Sequence, residues 1–244
     1  MWMVVAGFAS QVWAGDKYVV SLDEPAAAVD AGQSATAKPR LEAAADEYPG
    51  SASVRYVLGH AEHRLGDAGR AILQWERAVA LAPQFTDARH NLALARLQTG
   101  GKLPAPIWLD RLLLSRPVDE YVVAMAIAFW LLVGSVLWRS SGRGRPAPAV
   151  ILTTMLVAIA LGAYGSVGAW FGWTRQNDAI VVAVKAQTAR AGPAERAALV
   201  ETLPPGSKVT VLSELPEWTH CVLPGGRKGW LPARSIERIR PPGV

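Results

Sequence analysis

The sequence predicts a multidomain membrane protein made of an all-α helical hairpin, two transmembrane helices and a small all-β barrel. Three observations point there. Apolar residues are 51% of the 244-residue chain, high for a single soluble core. They are concentrated in two uncharged runs, Tyr121 to Trp138 and Ala147 to Thr174. Apolar positions recur at helical period before these runs and at a period of two after them.

Charge and cysteine content narrow the function classes. Most of the net charge of +5 comes from the C-terminal part, where residues 175 to 244 hold 10 basic and 6 acidic side chains; residues 1 to 118 hold 12 of each and residues 119 to 174 hold 3 and 2. No Lys/Arg cluster has the form of a nucleic-acid footprint, so no nucleic-acid partner is expected. The single cysteine, Cys221, excludes an intramolecular disulfide and a multi-cysteine zinc site.

In chain order, residues 1 to 14 are a possible signal peptide: Met1 to Ala9 is apolar, and Val12-Trp13-Ala14 offers a small-x-small cleavage point. A positive n-region is absent, and a short uncut anchor is the alternative. From 36 to 100 the pattern is helical. Val54, Leu58, Ala61 and Leu65 form one stripe; Ala68, Ile72, Trp75 and Val79 form another after a turn at Gly66-Asp67. Small residues at Gly59, Ala71 and Ala78 permit close packing, and Pro83 stops the second helix.

The segment from Ala52 to Phe85 is 34 residues long and resembles a tetratricopeptide repeat. Leu58, Gly59, Ala71, Trp75, Ala78 and Pro83 stand at the signature offsets, while Arg55 and Glu62 replace common aromatics. Thr86 to Gln98 repeats the first-helix pattern, and Lys38 to Tyr48 with Pro49 resembles a preceding second helix. Solenoids need about three repeats to bury a continuous core, so this one is expected to lean on a partner chain or on the membrane surface. The resemblance implies a concave face for peptide or protein partners that would show Tyr56, His60, His63 and Asn91. His60 and His63 lack an evident third ligand, so no metal or other cofactor is expected.

Residues 103 to 118 form an amphipathic segment, either juxtamembrane or a plain linker. Residues 121 to 138 and 149 to 172 are expected to span the bilayer; the first would rise about 27 Å as a helix. Between them, residues 139 to 146 carry Arg139, Arg143 and Arg145. Each arginine would cost about 3 kcal/mol at mid-bilayer, and their density marks the cytoplasmic side. They act as topology determinants, giving a two-pass protein of the bacterial cytoplasmic (inner) membrane whose partner is the lipid bilayer and whose flanks lie outside the cytoplasm. Tyr121, Trp138, Trp170 and Trp173 would sit at headgroup level. Ala158, Gly162, Ser166, Gly168 and Gly172 would let two helices approach closely; the alternative is mere composition.

Residues 178 to 239 alternate as strands: Ile180, Val182, Val184; Val209, Val211; Trp218, His220, Val222. Turns are marked by Pro204-Pro205-Gly206, Leu215-Pro216 and Pro224-Gly225-Gly226. Through Gly206, Trp218, Gly229 and Trp230 this part resembles a bacterial SH3-like domain, which implies peptide or cell-wall binding without catalysis and a groove at Trp218 and Trp230. Cys221 and His220 are adjacent on a strand, point to opposite faces and cannot form a nucleophile and base.

The order of modules over roughly 36 to 239 resembles BatE-like membrane proteins of the Bat (Bacteroides aerotolerance) type. That resemblance implies partners among von Willebrand factor A-type membrane proteins and a MoxR-type AAA ATPase. No phosphate loop, paired carboxylates or nucleophile elbow is present. The expected function is a non-enzymatic membrane-anchored scaffold; the alternative is a protein that senses or binds peptidoglycan.

Overall fold

The computed structural model describes residues 22 to 103, 118 to 140 and 148 to 240, with side chains at 22 to 103, 121 to 137, 152 to 167 and 176 to 240. The possible signal peptide, most of the 103 to 118 segment and residues 141 to 147 lie outside the described residues. The chain forms two compact units, Met1–Pro106 with Asn177–Val244, and Ile107–Gln176. The second is thus inserted between the helical and β parts of the first.

The helical part contains α1 (Asp23–Asp30), α2 (Ser34–Glu47), α3 (Ala52–Arg64), α4 (Ala68–Leu81) and α5 (Thr86–Thr99). Local chemistry sets the boundaries. Ser51 Oγ accepts from Val54 N at 3.4 Å to start α3, and Asp67 Oδ1 accepts from Arg70 N at 3.1 Å to start α4, each satisfying an orphan donor of a first turn. Gly66, with φ +82°, makes the turn between them. Helix α4 ends at Leu81, just before Pro83.

Close helix packing depends on absent side chains. A Cβ on Gly59 of α3 would lie 2.6 Å from the Trp75 indole nitrogen, and that nitrogen donates to Tyr56 O at 3.2 Å. One core joins α1, α2 and α3 through Val29, Leu41, Ala45, Val54, Leu58 and Ala61. A second runs through α3, α4 and α5 and takes in Ile180, Val182 and Ile239 from the β part. Helix α1 lies ahead of the 36 to 100 region that the sequence marks as helical.

The β part is one antiparallel sheet: β1 (Asp178–Val181), β2 (Gln187–Arg190), β3 (Leu199–Leu203), β4 (Lys208–Glu214), β5 (Trp218–Val222), β6 (Lys228–Pro232) and β7 (Ile236–Arg238). Their order is β3-β2-β6-β5-β4-β1-β7. Ala179, Val181, Ala189, Leu203, Val209, Val211, Cys221, Leu223 and Leu231 converge in one cluster. With inward side chains from six strands in a single cluster, the sheet curls around its own core.

All four residues of β1 are buried. Alternation sends Ala179 and Val181 into the sheet's own core and Ile180 and Val182 into the helical core, so both faces of this strand are covered. Period two puts Ile180, Val182 and Val184 on one face; the first two join the helical core, whereas Val184 is 71% exposed. The short helical array therefore leans on the β part of its own chain.

The junction is close. A Cβ on Gly69 would stand 2.9 Å from Val182 O. Arg77 of α4 donates to Ile239 O at 3.1 Å and Arg238 O at 2.8 Å, and pairs with Glu237 at 2.8 Å. Beyond α5, Lys102 N donates to Ser207 Oγ at 3.1 Å and Lys208 N donates to Lys102 O at 2.9 Å. Lys208 Nζ also pairs with Asp178 at 2.9 Å. Lys102 and Asp178 thus both bond to Lys208 of β4.

The inserted unit holds α6 (Val118–Ser140) and α7 (Pro148–Thr174). Tyr121 and Tyr164 rings meet at 5.2 Å, Ala128 and Ala158 are buried, and Met125 lies against Gly165, where a Cβ would also be 2.9 Å from Tyr121 O. These contacts define an antiparallel pair. The glycine at the close approach is Gly165; Gly162 has nothing within 4 Å, and Gly168 and Gly172 are outside the described side chains. Tyr121 is 2% exposed inside this seam rather than at a headgroup surface. Val122, Val123, Phe129, Trp130, Leu152 and Ile159 are exposed.

The transmembrane part of the expected fold class does not hold. Among the described residues no helix is long and apolar enough to cross a membrane. The spans placed at 121 to 138 and 149 to 172, the bilayer as partner and the two-pass cytoplasmic-membrane localisation fall with this finding. Arg139 is in the last turn of α6, its side chain outside the described set, and Arg143 and Arg145 lie outside the described residues. No described span leaves them a topology to determine. Seven α-helices and one seven-stranded antiparallel sheet are what the described residues contain.

Candidate functional site

Two surfaces bring together residues marked in the sequence. On the helical side Tyr56 and His60 come from α3 and Asn91 from α5, at positions that face each other once the helices pack. Asn91 Nδ2 donates to Tyr56 Oη at 3.2 Å and lies 3.0 Å from His60 Nε2. The Tyr56 and His60 rings meet edge-on at 4.6 Å, and Tyr56 also packs on Phe85 at 4.7 Å. Burial pushes the His60 imidazole below its ordinary range and the Tyr56 phenol above its own, because both charged forms lose water. A neutral His60 accepts at Nε2, matching the Asn91 donor.

Tyr56 is only 8% exposed. The three side chains satisfy one another across the α3–α5 seam, so this face is an internal network more than an open peptide platform. His63 is partly exposed and packs at 5.6 Å on Trp75; it does not join the network. No group of His, Cys, Asp or Glu among the described residues could hold a metal ion.

The two departures from the repeat signature both face inward. Arg55 donates to Ala45 O at 3.0 Å and Gln74 Oε1 at 3.4 Å, tying α2 and α4 to α3. Glu62 is 1% exposed. Its Oε1 is 3.9 Å from Lys38 Nζ, and its Oε2 has no hydrogen-bond partner among the described residues. Burial raises its carboxyl to about 7.

The second surface is on the β part. Residues 218, 220 and 222 of β5 and 228, 230 and 232 of β6 share the outer side, opposite Cys221 and Leu231. His220 stacks on Trp230 at 4.6 Å, with 14° between the rings. Cys221 points into the core, where burial raises its thiol to about 12, so it offers no thiolate near neutral pH.

Trp218 borders a cleft of about 910 Å³ together with Gln187, Thr188, Arg190, Glu195, Arg196, Pro216, Glu217, Pro232 and Arg234. The cleft exists because two strands splay. Strand β2 pairs with β3 along its length but with β6 only at Arg190↔Trp230. Trp230 is therefore at the ladder that closes one end, while Trp218 is in the wall. Sequence reading found Trp218 through its motif; it missed the arginines, which lie in three separate segments and carry no local pattern. Comparison with protein-family models, with curated proteins and with solved structures finds no match to this chain.

Proposed function

We propose that this chain is a non-enzymatic interaction scaffold in which the helical repeat and the β domain work as one recognition body, with the cleft beside Trp218 as its binding site. The observation that carries this reading is the cleft itself: a partly exposed tryptophan between two prolines, bordered by charged side chains, in a sheet whose inward side chains share one core. Large rigid rings give contact area at low entropic cost. On the helical side the corresponding polar groups are already satisfied internally, which directs partners to the β domain. The resemblance to the Bat type makes von Willebrand factor A-type proteins and a MoxR-type AAA ATPase the partners to try.

The test is a photo-crosslinking amino acid placed at Gln187 in the full chain, in its native host. Capture of a defined protein partner, lost when Trp218→Ala is added, supports the scaffold. Capture that ignores Trp218→Ala, or capture of nothing, overturns it.

A further inference from the structure

We propose that the cleft takes an extended peptide carrying acidic side chains, bound as an added strand along the open side of β2. This deepens the scaffold reading and rests on it. Two independent features of the cleft carry the inference, its backbone and its charge.

In an antiparallel strand, backbone groups point alternately to the two neighbours. Gln187, Thr188 and Ala189 pair with β3 on one side, whereas β6 reaches β2 only at Arg190. The groups of β2 that point away from β3 before Arg190 thus face the cleft without a partner strand. An extended chain laid there would complete the ladder, the backbone supplying affinity and alternate side chains supplying selectivity.

The charge around the cleft is positive on balance. Asp178, Glu201, Glu214 and Glu237 are each held in an ion pair. In the cleft, Arg196 and Arg234 are exposed and make no ion pair among the described residues, and Arg190 donates to Ala197 O alone. Three guanidiniums face two carboxylates, Glu195 and Glu217, leaving a surplus positive charge. A guanidinium is weakly hydrated and matches a carboxylate in a two-pronged geometry, so an acidic side chain is the partner this surplus selects. Trp218, in the wall, then supplies an apolar contact for the intervening side chain.

The probe is a fluorescent eight-residue peptide alternating glutamate and valine, titrated into the full chain at 50 and 150 mM salt alongside its glutamine and lysine counterparts. The acidic peptide should bind at least tenfold more tightly than either counterpart at the lower salt, and less tightly at the higher. The pair Arg196→Glu and Arg234→Glu should invert the preference toward lysine. Both side chains are exposed, so circular dichroism should be unchanged. Equal binding of all three peptides, no binding, or preference unaffected by the arginine changes overturns the proposal, as does displacement by soluble peptidoglycan fragments but not by unlabelled acidic peptide. Equal binding that still needs Trp218 would leave the scaffold reading standing and remove only the charge selection.

Discussion

Ile72 of α4 presses its Cδ1 into the turn at Gly206, so close that a Cβ there would overlap it. The turn residue has φ +79°, a conformation open to glycine and strained for other residues. Two requirements therefore coincide at one atom's absence. Gly206→Ala should destabilise the chain by about 2 kcal/mol or more, from strain and overpacking together. Urea denaturation followed by circular dichroism measures this; an unchanged midpoint would mean that the helix and the turn do not press on each other.

Ile72 also lies in the core that spans α3 to α5 and β1. Ile72→Ala should cost about 2 to 4 kcal/mol through lost burial and a residual cavity. Because the core is shared, the helical signal and the β-sheet signal should shift together in thermal unfolding. Separate shifts would show two cores in place of one.

Glu62 sets a pH dependence with a definite sign. Its carboxyl is raised to about 7 in the folded chain, above an ordinary value of about 4.3. Between these values the folded state binds more protons than the unfolded, so this residue's contribution to stability falls as pH rises through that window. Glu62→Gln should be more stable than the parent at pH 8, by about 1 to 3 kcal/mol, and should flatten the slope between about pH 4.5 and 7. Parallel pH profiles of the two proteins would refute the burial argument.

His60, two positions away, acts in the opposite sense. Burial lowers its imidazole in the fold, so below about pH 6.5 the unfolded chain takes up the proton first and stability falls with acid. A protonated Nε2 would also present a hydrogen to the Asn91 amide that lies 3.0 Å away. Nitrogen-15 NMR should find His60 neutral at pH 7 with its proton on Nδ1. Asn91→Ala should cost about 1 to 3 kcal/mol by leaving buried groups unpaired. A charged His60 at pH 7, or a cost-free Asn91→Ala, would contradict this network.

What the amino-acid order determines by itself here is local. Ser51, Gly66-Asp67 and Pro83 punctuate the helices, because caps, turns and stops are decided by a residue and its immediate neighbours. Alternating valines announce strands, since side-chain direction follows from the backbone alone. What covers each face is another matter. Ile180 and Val182 read as one face of a strand, and only the packed chain shows that this face meets Ala71, Ile72 and Trp75. The same holds for Tyr56, His60 and Asn91, which read as partner contacts and turn out to satisfy one another. Gly165, not Gly162, takes the close approach of α6 and α7, because spacing permits several seams and side-chain fit selects one. The arginines of the cleft are scattered along the chain and meet only where β2 and β6 part. Periodicity records that a surface must be hidden; the folded chain alone decides which surface hides it, since burial is a property of pairs of elements distant in sequence.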